Sequence, residues 1–386
     1  MTVYLDNNAT TQLDPRVFEA MRPYMQDIYG NGSSLHRYGR LIRSGIEQAR
    51  EQLAQAVQAH PDQIIFTSSG TEANNLAIKG VAAAAPHKAA IAISSIEHPS
   101  VREPAFALRR QGWQINEIRV NAEGVVDLAA IQDDVITDQT RLVSVMSANN
   151  ETGAIQPLSE IAEITRRNGA VLHTDATQSL GKNPIRFAGL GAQLLTLSAH
   201  KCHGPLGAGA LLIDRGTVLQ AQILGGDHER LMRAGTENVA AIVGFGKAAE
   251  LAADELNERS EKVLLLRKQL EAELKQIPEV CIFAEGVERL PNTVQFGVAG
   301  CHGETLLLQL DRAGVAVSSG SACHSQVHEP SHVLTAMGVA SELALTAVRV
   351  SLSQYTTNQD IAEFMQAFMK IVMEFRFTSV RAANAY

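Results

Sequence analysis

Between about Leu41 and Val348, short apolar or β-branched runs alternate with longer stretches in which apolar positions recur at helical spacing. Residues 63–67 (QIIFT), 89–94 (AAIAIS), 141–146 (RLVSVM), 170–174 (AVLHT), 193–198 (QLLTLS) and 208–213 (AGALLI) predict strands, and residues 71–85, 99–111 and 158–167 predict helices between them. Near-continuous apolar strands separated by helices imply a mostly parallel sheet covered on both faces, hence a large α/β unit. Residues 238–276 continue as good helix formers with few breakers beyond Gly244 and Gly246, a connection into a second unit. From about Pro278 the runs shorten, with strands expected at 281–284, 293–296 and 347–352, the pattern of a smaller α+β unit. The division expected is a large domain over 16–255 and a small one formed by 1–15 and 256–386.

Composition narrows the function class. Against 33 Lys and Arg stand 41 Asp and Glu, a net charge of −8, and no dense basic run offers the counterion exchange a nucleic-acid binder needs. No apolar run approaches the ~18 residues of a membrane span. The start, MTVYLDNNATT, lacks the basic-then-apolar order of a secretory leader, so a cytoplasmic protein is expected. The four cysteines, Cys202, Cys281, Cys301 and Cys323, form no C-x-x-C pair and read as reduced thiols.

Three loops follow strands, the place where open α/β sheets put their ligands. Ser68-Ser69-Gly70-Thr71-Glu72 joins a strand to a helix: Gly70 permits close backbone approach, Thr71 offers a hydroxyl, and the helix start offers N–H groups to a phosphate. The plainer reading is a capping loop with Thr71 as N-cap. Asp175 ends a buried strand, where an acid is costly unless something cationic or protonated meets it. Ser198-Ala199-His200-Lys201 puts a lysine at another strand end, in an uncharged setting that favours the neutral amine of Schiff-base chemistry. Separately, each is compatible with an ion pair or cap; together they suit pyridoxal phosphate, which needs an anion site, a carboxylate at its ring nitrogen and a lysine at its aldehyde. Asn150 and Gln178 are placed to donate to the ring oxygen, and His98 to stack on the ring or move protons.

The ordered series YLDNNATT, FTSSGTEANNLAIKG, EH, NNETG, HTDATQ, LSAHK, HERLMRAGTEN and SSGSACHS, from Tyr4 to about Thr356, resembles the cysteine desulfurases, pyridoxal-phosphate enzymes of fold type I. It is similar in particular to the group with a long catalytic loop that feeds sulfur to iron–sulfur cluster assembly. The resemblance implies Lys201 at the cofactor aldehyde, Asp175 at its ring nitrogen, phosphate contacts from Gly70, Thr71, Ser198 and His200, further cofactor contacts from Asn150 and Gln178, ring stacking and acid/base work by His98, and a substrate-carboxylate site at Arg349 with Asn150. It also implies a homodimer in which Thr236 reaches the phosphate of the other subunit, making the large domain the cofactor-binding one and the small domain the carrier of the catalytic loop.

Cys323 is the implied nucleophile. It lies in VSSGSACHS, small polar residues that cannot pack a stiff core and read as a mobile loop. His324, His328 and His332 recur every four residues beside it, but Pro330 breaks the helix that would gather them around a metal, so no metal site is expected. The implied reaction takes L-cysteine to L-alanine and leaves a persulfide on Cys323 for a protein acceptor, an iron–sulfur scaffold or a thiolation enzyme. A selenocysteine or cystine lyase would use the same cofactor residues, and a non-enzymatic metal or cluster carrier would use the Cys323 segment alone. Ala199 stands where the family often has Gly, Ser353-Gln354 where it has Gly-Arg, and His324 where threonine is common.

Overall fold

The computed structural model describes residues 3–131, 135–319 and 329–383; Cys323, His324 and His328 lie outside the described residues. Strand β1 (Val3–Tyr4) precedes helices α1 (Pro15–Gln26) and α2 (Arg37–Ala56). A seven-stranded sheet is then built from β2 (Ile64–Thr67), β3 (Ala90–Ser94), β4 (Gln114–Ile118), β5 (Thr140–Ser144), β6 (Val171–Asp175), β7 (Leu194–Ser198) and β8 (Gly209–Ile213), in the order β2-β8-β7-β6-β5-β3-β4. β8 is the one strand of this sheet that runs opposite to the rest. Five of the strands coincide with the apolar runs to within a residue at each end, while β5 sits slightly earlier than its run.

Alternating residues face opposite layers, as the pleat requires. Ile64, Phe66, Leu195 and Leu197 pack with Ile46, Leu53 and Phe245, from α2 and the helix Val239–Asp254. Ile65, Leu194 and Leu211 pack with Ala77 and Leu108, from α3 (Gly70–Ala84) and α4 (Pro99–Arg110). Gly246 is the close-contact point of the first layer rather than a breaker: a Cβ there would lie 2.5 Å from the Ala49 Cα. The expected long connection is two helices, Val239–Asp254 and Leu256–Leu274, divided at Glu255, whose carboxylate bridges Arg16 and Arg259.

The second sheet has β9 (Val280–Ile282), β10 (Thr293–Val298) and, beyond β11 (Val315–Ala316), β12 (Val348–Ser351), ordered β12-β10-β9 and antiparallel. The long helix Asn358–Ala383 covers it, with Phe368 edge-on to Phe296 and stacked on Phe364. β1 pairs in parallel with β11, and Asn7 continues onto β12 through its N–H to the Ser351 carbonyl at 3.2 Å. That pairing carries the next residues, Asn8 and Ala9, to the mouth of the large sheet. Among the described residues no helix is long and apolar enough to cross a membrane.

Candidate active site

The C-terminal ends of β6 and β7 and the start of α3 enclose a cavity of about 300 Å³. Its lining includes Gly70, Thr71, His98, Asn150, Asp175, Gln178, Ser198, His200, Lys201 and Arg349, so the strand-end residues singled out in the sequence converge on one crevice.

Asp175 is buried, and its partners within the fold are neutral donors rather than a cation. Asn74 donates its side-chain N–H to Oδ2 at 2.7 Å, and the Thr177 backbone N–H donates to Oδ1 at 2.9 Å. Neutral donors steady a carboxylate without consuming its charge, which leaves it to act on a protonated ligand atom. Asn74 sits one helical turn beyond Gly70 on α3, so the phosphate loop and the support of Asp175 share one helix face.

Lys201 lies in the short turn Ala199–Lys201 after β7, its Nζ donating to the Asn8 and Ala9 carbonyls at 2.6 and 2.7 Å. His98 caps α4: its Nδ1 accepts the Ser100 N–H at 3.1 Å, so the neutral ring carries its proton on Nε2. Burial lowers its pKa, partly opposed by Asp175 and reinforced by Lys201 and His332. His332 reaches the same cavity and bonds through Nε2 to the Glu97 carbonyl at 3.0 Å.

The anion cradle is visible in what lacks a partner. Among the described residues, Ser198 Oγ and Thr177 Oγ1 are buried without hydrogen-bond partners, and a Cβ at Gly70 would sit 3.2 Å from that Thr177 oxygen. Buried hydroxyls left unpaired are costly unless a ligand meets them. The N-cap of α3 is Ser69, whose oxygen accepts the Glu72 N–H at 3.2 Å, not Thr71; Thr71 is exposed at the cavity rim. His200, bonded to Thr10 Oγ1 at 3.1 Å, is held neutral, its pKa pushed down to about 4 by burial and by Lys201 and Lys182. Two orphaned hydroxyls, a glycine gap and a helix N-terminus form a donor set that fits a phosphate.

Gln178 Nε2 donates to the Asn8 carbonyl at 3.0 Å, and the Asn150 carbonyl accepts from Arg349 at 3.1 Å. Arg349 is buried on β12, paired with Asp6 at 2.7 Å. Thr236 is exposed and lies outside the lining of this cavity. The sequence reading passed over Asn8, Asn74 and Thr177, and weighed His332 only as a metal ligand, whereas it lines this cavity. Asn74 was detectable as i+4 from Gly70, whereas Asn8 depends on the β1–β11 pairing.

A phosphate cradle, a carboxylate and a lysine at the strand ends of a mostly parallel sheet define a pyridoxal-phosphate enzyme of fold type I. The aminotransferase class-V family model matches residues 3–364. The chain is 45% identical over 379 residues to the cysteine desulfurase IscS of Dictyoglomus turgidum, covering 98% of this chain and 96% of that one. Among solved structures, a NifS-like protein superposes with a TM-score of 0.91 at 36% identity, covering 97% of this chain and 100% of the other. The structure of SspA in complex with cysteine superposes with a TM-score of 0.81 at 30% identity, covering 92% and 100%. The chain belongs to the class-V aminotransferases and, within them, to the cysteine desulfurases.

Proposed function

We infer that this crevice converts L-cysteine to L-alanine: the chain is a pyridoxal-phosphate-dependent cysteine desulfurase. The observation that carries the site assignment is the convergence of Lys201, Asp175 and the unpaired Ser198 and Thr177 hydroxyls on one cavity. Pyridoxal phosphate supplies an aldehyde that captures the substrate amine and a ring that accepts electrons from its α carbon. Lys201 would hold the aldehyde, and its amine would be placed to move the α proton, with the Nε2 edge of His98 as the alternative acid/base. Asp175 keeps a proton on the ring nitrogen. Gly70, Thr71, Ser198 and His200 receive the phosphate, Asn150 and Gln178 the ring oxygen, and Arg349 with Asn150 the substrate carboxylate.

Cys323 thiolate attacks the substrate sulfur, whose bond to Cβ breaks. The electron pair stays with the carbon skeleton, which leaves as alanine after protonation, and the sulfur remains as a persulfide on Cys323. The carbon is reduced by two electrons and the two sulfurs of the persulfide, that of Cys323 and that of the substrate, are each oxidised by one, so no outside oxidant is needed. The persulfide then passes to a protein acceptor, an iron–sulfur scaffold or a thiolation enzyme. In a homodimer, Thr236 would complete the phosphate site of the other subunit, an assignment that agrees with its exposure here. The division into 16–255 and 1–15 with 256–386 is supported by β1 pairing with β11.

The test is to treat the holoenzyme with cysteine and map added sulfur by mass spectrometry without reductant. One sulfur is expected on the peptide holding Cys323, and Cys323→Ser should bind cofactor and cysteine yet release no alanine. Alanine release by the serine variant would favour the lyase reading instead.

A further inference from the structure

Lys182 has no role in the chemistry above, yet its position is costly. It is a half-buried residue with its ammonium turned inward, donating to Gln178 Oε1 at 2.8 Å and Asn8 Oδ1 at 3.3 Å. Among the described residues it forms no ion pair. The groups around it are cationic or neutral: Lys201 and Arg349 act on it electrostatically, and Cys202, His203, Arg259 and Asn292 share with it a second void of about 30 Å³ that also touches Lys201. Burial first, then the Lys201 charge, pulls its pKa down to about 7. A lysine kept among neutral oxygens beside a second lysine is poor structural economy, since desolvation without a carboxylate partner is unfavourable.

What it does hold is the orientation of one amide. A lysine only donates and a backbone carbonyl only accepts, so Lys182 fixes the Oε1 end of Gln178 while the Asn8 carbonyl fixes its Nε2 end. The remaining N–H of Gln178, which lines the cavity, is the one available to a ligand oxygen. Asn8 is locked as firmly: its Oδ1 also accepts from Asn292 at 2.9 Å, its Nδ2 donates to Thr293 at 2.9 Å and to the Asn150 carbonyl at 3.1 Å, and its own carbonyl receives both Gln178 and Lys201.

We propose that Lys182 is a positioning residue of the cofactor site, acting through Gln178 and Asn8 to present an N–H donor, rather than a carbonyl, to an acceptor oxygen on the cofactor ring. Without it, the Gln178 Oε1 loses its donor and the amide is free to turn over. The inference rests on the pyridoxal-phosphate reading of the crevice.

The test compares apoproteins titrated with pyridoxal phosphate: wild type, Lys182→Met, Gln178→Leu and the double variant, each first checked for its thermal unfolding midpoint. Lys182→Met should fold normally, bind the cofactor about 10-fold or more weakly, in the range for losing an outer-shell partner, and shift the visible band of the bound cofactor. In the Gln178→Leu background the same change should have little further effect. Equal losses in both backgrounds, or unchanged affinity and spectrum, would overturn the proposal. If wild-type apoprotein itself fails to take up the cofactor, the pyridoxal-phosphate reading falls, and with it the basis of this inference.

Discussion

Glu229 and Asp175 are buried to nearly the same degree, 6% and 7% exposed, yet they meet opposite partners. Glu229 accepts two N–H bonds from Arg50, at 2.7 and 2.9 Å, and a third from the Phe66 backbone at 2.7 Å. Among the described residues, Asp175 meets only an amide and a backbone N–H. The first carboxylate is fully consumed by the fold. It anchors the turn Glu229–Leu231, whose three residues take positive φ of 43°, 54° and 65°, a cost that needs such an anchor. The second keeps acceptor capacity toward a cavity. A buried charge that the fold neutralises is structure; one that the fold merely steadies is held for a ligand.

The sharpest break of this contrast is Lys201→Ala, which should abolish the visible absorbance of bound cofactor and all desulfuration while leaving the unfolding midpoint near that of wild type; a large loss of stability would place Lys201 on the structural side. Arg50→Met should do the reverse, costing about 3–5 kcal/mol in denaturant unfolding because Glu229 is left buried and unpaired, with cofactor bound normally by the folded fraction. A cost below about 1 kcal/mol would make the pair no different from a surface bridge. Asp175→Asn should retain cofactor but slow turnover by roughly 10²–10³-fold, the scale of one lost preorganised electrostatic contact, with little change in stability. Near-normal turnover would make Asp175 a structural acid.

The smallest effect concerns pH. Burial pushes His173, His200 and His203 down to about 4 from an ordinary value of 6.5. Between those limits the unfolded rings bind protons that the folded rings refuse, so stability should fall as pH drops from 6.5 to 4. His173 lies fully buried between the Ser144 and Thr196 hydroxyls, and His173→Gln should flatten that slope measurably. An unaltered slope would remove His173 from the acid sensitivity.

The strands that carry Asp175 and Ser198 were legible because long apolar runs stop at polar residues there, and the crevice follows from where such runs end. β4 was not, since QINEI is a polar edge strand without a buried face on both sides. The Ser69 cap was mistaken for Thr71 because both residues are hydroxyl-bearing neighbours of Gly70. Arg50 and Glu229 stand 179 residues apart, and Asn8 meets Gln178 and Lys201 across 170 and 193, so only the folded sheet order brings them together. Lys182, four residues beyond Gln178, had no distinguishing pattern at all.

The most direct test uses the two lysines that share the second void. Reduction of the holoenzyme with borohydride, followed by peptide mapping, should place a single phosphopyridoxyl label on Lys201 and none on Lys182. A label on Lys182, or no label on a protein that still desulfurates cysteine, would contradict the assignment of the strand-end lysine to the cofactor.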